Sequence, residues 1–115
     1  MDAMFVKSLN PHSPVAGWEI KPCLLFNGGY ESEHVESFDT LADAREQEDE
    51  AHCQFESATG DPVFYGVYMV MREQAIEEAG MVPAMHLTDF QTFDDALGLV
   101  TIINGVPEMT YEEDE

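Results

Sequence analysis

Nine successive residues, Val63 to Met71, carry no charged side chain. A chain that holds such a run in water must cover it from two sides. The run is apolar on both parities and rich in Val and aromatic residues, which predicts a central, fully covered strand. It falls short of the roughly 18 apolar residues that a membrane span requires, because it ends at Arg72 and Glu73. With 115 residues in all, one domain around a single modest core is expected, over residues 1–115, and a large active-site cavity is not.

The flanking sequence supplies the other elements. Residues 1–14 contain Asn10-Pro11 and Ser13-Pro14 and read as a lead-in arm. From Trp18 the pattern alternates, with Trp18, Ile20, Leu24 and Phe26 on one parity and Glu19, Lys21 and Cys23 on the other, as in a strand with one buried face. Pro22 cannot donate to a ladder, so this strand is expected at an edge or with a bulge. Asn27-Gly28-Gly29 fits a tight hairpin turn, and Tyr30 to Phe38 reads as the return strand. Asp39 is placed to cap a helix that begins at Thr40 and runs to about Phe55 or Glu56, burying Leu41, Ala44, Ala51 and Phe55. Arg72 to Gly80 reads as a charged turn or short helix, and Pro83 to Phe90 as a second return strand.

Ser37-Phe38-Asp39-Thr40-Leu41-Ala42 is echoed by Thr92-Phe93-Asp94-Asp95-Ala96-Leu97, which suggests two strand-strand-helix units, about Gly17–Glu56 and Val63–Gly105. The second helix competes with a hairpin at Asn104-Gly105, and Gly105 equally suits a helix stop. Residues 106–115 form an acidic C-terminal segment whose last four residues are expected to be a solvated tail. The fold class that follows is α+β, a two-layer sandwich of a four-stranded antiparallel sheet with both helices on one face.

The chain holds 24 Asp and Glu against 4 Lys and Arg, a formal net charge of −20. Direct binding to nucleic acid or to an anionic membrane is disfavoured by that field, so the natural partner is basic. The charge is also localised. Residues 1–30 balance Asp2 and Glu19 against Lys7 and Lys21, whereas residues 31–50 hold Glu31, Glu33, Glu36, Asp39, Asp43, Glu46, Glu48, Asp49 and Glu50 against Arg45 alone. On the expected helix, Asp39, Asp43, Glu46 and Glu50 follow separations of 4, 3 and 4 residues, one stripe roughly 16 Å long. Like charges at these separations destabilise an isolated helix, so stability alone does not select the pattern. A DNA duplex displays one charge per ~1.7 Å of axis, and carboxylates spaced by roughly 5–6 Å suit the same cationic groove. These nine residues are therefore the candidate partner-binding set. Solubility or adaptation to high salt also favours acidic surfaces, although −20 exceeds the magnitude of roughly 2–8 that suits a small soluble domain.

In size, charge and clustered carboxylates the whole chain resembles the small acidic inhibitors of phages and mobile elements, the DNA-mimic anti-CRISPR and anti-restriction proteins. That class shares no single fold or motif, so the likeness is compositional and transfers no residue. It implies a basic nucleic-acid channel as target, such as that of a CRISPR effector or a restriction enzyme.

Enzymatic chemistry has weaker support. Glu48 and His52, four residues apart, could give two zinc ligands, with others drawn from His34, His86 or Cys23, but no C-x-x-C or H-E-x-x-H accompanies them. Asp94 and Asp95 read as capping residues, and Gly28-Gly29 as turn geometry. The expectation is a non-enzyme without cofactor or metal. Cys23 and Cys53 are expected to be reduced thiols in a soluble, cytoplasmic protein. The competing interpretation is an interaction module that binds through an exposed aromatic stripe of Tyr30, Tyr65 and Tyr68.

Overall fold

A computed structural model describes residues 1–26, 33–53 and 60–112 of the chain. Among these, six strands form one antiparallel sheet accompanied by three helices. The order is β1 (Met4–Lys7), β2 (Val15–Phe26), β3 (His34–Ser37), α1 (Leu41–Glu46), β4 (Ala51–His52), β5 (Phe64–Met71), α2 (Glu73–Ala79), β6 (Ala84–Phe90) and α3 (Phe93–Glu112). A single 3₁₀ turn, Glu48–Glu50, precedes β4. The Asn27-Gly28-Gly29 turn, Tyr30, Glu31, Phe55, Glu56 and residues 113–115 lie outside the described residues.

The apolar run forms β5, which lies between β2 and β6. Phe64, Tyr65, Val67 and Met71 are buried along it, and each such side chain contributes about 1.5–3 kcal/mol when fully removed from water.

β2 is an interior strand, contrary to the edge position that Pro22 suggests. It pairs with β5 from Val15 to Cys23; its other flank pairs with β1 through Gly17–Ile20 and with β3 through Cys23–Phe26. Pro22 falls at the join of these two short strands. Its carbonyl accepts from the Phe38 amide at 2.8 Å on the β3 flank. In an antiparallel ladder a residue's N–H and C=O point the same way, so the missing proton faces that join and costs β5 nothing. The register shift in β2 lies between Val15 and Gly17, away from Pro22.

Two strands were not anticipated, so the expected count of four is too low. Part of the lead-in arm is β1, and Gly17 allows its close approach: a Cβ there would run into the Val6 carbonyl and lie 2.6 Å from the Phe5 ring. The two-residue β4 sets Ala51 and His52 opposite Phe26 and Leu25.

Residues opposite one another in a ladder share a face. Trp18, Ile20 and Pro22 therefore stand with Met69, Val67 and Tyr65, and Leu24 follows by alternation. On that face α3 lays Phe93, Ala96 and Val100 over Trp18, Ile20, Tyr65 and Val67. The Tyr65 and Phe93 rings meet edge to face at 5.7 Å. α1 sets Ala44 against Leu24 and Val63 on the same side.

The helices correct three expectations. First, the cap of α1 is Thr40, whose extended backbone lets its side chain accept from the Asp43 amide at 3.1 Å; Asp39 is not the cap. Second, α1 stops at Glu46 instead of running to Phe55. Continuing it would stack further carboxylates on successive turns, whereas Ala51 gains a ladder partner in β2 and packs beside Leu24. Third, α3 continues through Asn104-Gly105 to Glu112, with neither hairpin nor stop. The Asn104 side chain, which a turn would have used locally, accepts from the Leu9 amide at 2.9 Å and donates to the Lys7 carbonyl at 3.0 Å. α2 ends at Gly80, whose φ of 69° is the left-handed conformation that terminates a helix.

The internal echo is present in a shifted register. Thr92 caps α3 by accepting from the Asp95 amide at 3.2 Å, as Thr40 does for Asp43. Thr40-Leu41-Ala42-Asp43-Ala44 thus matches Thr92-Phe93-Asp94-Asp95-Ala96, and both Ala44 and Ala96 are fully buried.

Candidate functional site

The acidic segment includes β3 and α1 and lies at the end of the sheet where β2 finishes. Its organising group is Arg45, the one cation of the segment. Arg45 donates from Nη1 and Nη2 to the two oxygens of Asp61, at 2.8 and 3.0 Å, and from Nη1 to Glu48 at 2.8 Å. The Val63 amide adds a 3.0 Å bond to Asp61. The Arg45 hydrogen bond holds the Asp61 carboxyl below its ordinary value, and Asp61 and Glu48 in turn hold Arg45 more firmly protonated. The clamp ties α1 to the start of β5 across 16 residues of sequence.

The nine candidate residues divide into three groups. Asp39 faces Lys21 at 3.4 Å, Glu36 meets His34 at 3.1 Å, and Glu48 belongs to the Arg45 clamp. Glu33, Asp43, Glu46, Asp49 and Glu50 are exposed and carry no ion pair among the described residues. Glu31 lies outside those residues. The single helical stripe of Asp39, Asp43, Glu46 and Glu50 does not form, because only Asp43 and Glu46 are on α1. Asp39 precedes the cap, and Glu50 belongs to the 3₁₀ turn. α1 carries Asp43 and Glu46, and the 3₁₀ turn carries Glu48, Asp49 and Glu50, all of them exposed except the half-buried Glu48. Glu36, opposite the buried Leu24, stands on the sheet face that α1 covers.

Arg72, outside the segment, is also engaged with the protein itself. Arg72 donates to the Ser13 carbonyl at 2.7 Å and to the Asn10 carbonyl at 3.1 Å, which pins the loop between β1 and β2. Sequence reading missed both this role and that of Asp61, because each partner lies far along the chain. The signal for the clamp was present in Arg45 itself, a lone cation among nine acids.

The zinc arrangement loses its geometry. Glu48 is in the 3₁₀ turn and His52 in β4, so they do not share a helix face. His34 pairs with Glu36, His86 meets Asp89 at 2.7 Å, and the Cys23 thiol donates to the Lys21 carbonyl at 3.3 Å. Among the described residues, no group of three or more His, Cys, Asp and Glu side chains could hold a metal ion. Cys23 and Cys53 are free thiols. Burial pushes the Cys23 thiol up, and it pushes the hydroxyl of the neighbouring Tyr68, 3.6 Å away, up as well.

The exposed aromatic stripe is not formed by the residues named for it. Tyr65 is core, packed on Phe93, and Tyr68 is half-buried between Cys23 and the His86 ring. Tyr30 lies outside the described residues. No helix among the described residues is long and apolar enough to cross a membrane. Compared with protein-family models, curated proteins and solved structures, the chain matches none.

Proposed function

We propose that the chain is an acidic binding protein that occupies the nucleic-acid channel of a basic target, such as a CRISPR effector or a restriction enzyme, and inhibits it without chemistry of its own. The observation that carries this reading is the division of labour among charges. Lys21, Arg45 and Arg72 are engaged with internal partners, while Asp43, Glu46, Asp49 and Glu50 remain exposed and unneutralised. A surface organised for solubility gains by interspersing both signs; here three of the four cations bond within the fold, Lys7 being the exposed exception, and these four anions face outward. The set that meets the target is Glu31, Glu33, Glu36, Asp39, Asp43, Glu46, Glu48, Asp49 and Glu50, with Asp43, Glu46, Asp49 and Glu50 at its centre.

The test is inhibition of DNA binding and cleavage by a panel of CRISPR effectors and restriction enzymes, at increasing salt. Inhibition of at least one enzyme should be competitive with DNA and fade as salt rises, because each carboxylate replaces a phosphate contact. Inhibition that persists after Asp43, Glu46 and Glu50 are together changed to Asn, Gln and Gln rejects the assigned site. No inhibition across the panel, at low salt, rejects the reading for those target classes.

A further inference from the structure

The sheet has two unlike edges. Along one, β2 is flanked by β1, β3 and β4, strands of 4, 4 and 2 residues, and short edge strands resist pairing with other chains. The other edge is β6, Ala84–Phe90, whose 7 residues pair with β5 alone among the described residues. β6 lacks the Lys and Pro that most often close an edge. Its two ionisable side chains, His86 and Asp89, bond each other at 2.7 Å. Ala84, Met85, His86 and Leu87 are exposed, whereas Thr88, Asp89 and Phe90 are half-buried. Leu87 is a bulge, the residue skipped between Thr88 and His86 in the ladder to β5. It confines the regular exposed run to Ala84–His86, so what docks there is a short segment. Such a flank presents a row of main-chain N–H and C=O groups, the template on which a further strand is added.

Charge decides the occupant. Residues 73–115 hold eleven Asp and Glu and no Lys or Arg. Exposed Glu77 and Glu78 on α2 precede β6, and exposed Asp94 and Asp95 follow it in the first turn of α3. Antiparallel pairing of two copies along β6 would bring the Glu77-Glu78 end of one toward the Asp94-Asp95 end of the other, anion against anion at both ends. An extended segment with a cation at each end meets the opposite sign twice. Between those ends, exposed Met85 and Leu87 call for apolar residues. We infer that β6 is a docking edge for an extended segment of a partner protein, apolar in its middle and carrying Lys or Arg at both ends, which adds to the sheet as a further strand. This edge is separate from the acidic segment of residues 31–50. β3 and β6 lie on opposite sides of β2 and β5, three strand spacings or about 14 Å apart.

The probe is a capped heptapeptide, Lys-Val-Thr-Val-Thr-Val-Lys, titrated into the isotope-labelled full chain. Amide resonances within Ala84–Leu87 should shift and saturate at one peptide per chain. At ten times the dissociation constant, exchange of the outward-facing amide hydrogens there should slow by about tenfold. The same peptide with Glu at both ends should bind at least about tenfold more weakly. A version N-methylated at alternate amides keeps every charge and side chain but cannot form the ladder, and should leave Ala84–Leu87 unshifted. Leu87→Lys, at an exposed position, should weaken binding of the cationic peptide by about tenfold while circular dichroism remains that of the wild type. The N-methylated peptide tests the same contact should that variant fail to fold. The assignment is overturned by shifts confined to residues 33–53, by equal shifts in β6 from the plain and N-methylated peptides, or by equal affinity for cationic and anionic ends. A wild-type dimer whose formation protects the β6 amides would overturn it as well.

Discussion

Asp61 illustrates how far a single side chain's role depends on its distant partner. In sequence it is a turn residue between Gly60 and Pro62; in the fold it receives both arms of Arg45. Its carboxyl is held below the ordinary 3.8, so the unfolded chain takes up that proton first as pH falls. The stabilisation is therefore complete above about pH 4 and is lost as pH drops through the lower, folded-state value. Asp61→Asn should lower the unfolding free energy measured in urea at pH 7 by about 1 kcal/mol or less, because the pair is half exposed. The gap to wild type should narrow steadily as pH falls below 3.8, and a gap independent of pH there would show that the ion pair is not its source. The two thiols give a second prediction. Cys23 is fully buried and its thiol pushed up by that burial, whereas Cys53 is half exposed. A disulfide reagent should modify one thiol rapidly in the folded protein and the other only on unfolding, and Cys53→Ser should remove the rapid phase.

Among the elements, caps and buried alanines are the repeated device. Thr40→Ala and Thr92→Ala should each cost about 1 kcal/mol in denaturant unfolding. Ala96→Leu, which forces a larger side chain between α3 and the sheet, should cost about 1–3 kcal/mol; a neutral effect would mean that α3 does not seat as described. What was legible in the sequence follows from what is local. The unbroken apolar run of β5, the alternation of β2 around Trp18, Ile20 and Leu24, and Gly80 as a helix stop all declare themselves within a few residues. β1, β4 and the early end of α1 do not, because each depends on an unoccupied flank of β2 elsewhere in the chain. Pro22 pointed to an edge or a bulge; β2 is interior and has its register shift between Val15 and Gly17, away from Pro22, because a proline's effect on the ladder depends on which neighbour its nitrogen faces. The acidic segment was legible as a concentration of charge, but its shape was not. The helical stripe required a continuous helix that the competition between repulsion and strand pairing cuts short.

For the molecule as a whole, a net charge of −20 makes folding work against self-repulsion. Added salt should raise the melting temperature, and neutralising Asp43, Glu46 and Glu50 should raise it at low salt while reducing its salt dependence. A melting temperature indifferent to salt would mean that the acids are too dispersed to interact. The same three residues decide the functional account. The most direct measurement is the affinity of the wild-type chain and of the triple variant for an inhibited nucleic-acid-binding enzyme, with duplex DNA as competitor at several salt concentrations. The account predicts DNA-competitive binding that weakens steeply with salt and is lost in the variant; equal affinity for the two proteins, or binding that DNA does not displace, would contradict it.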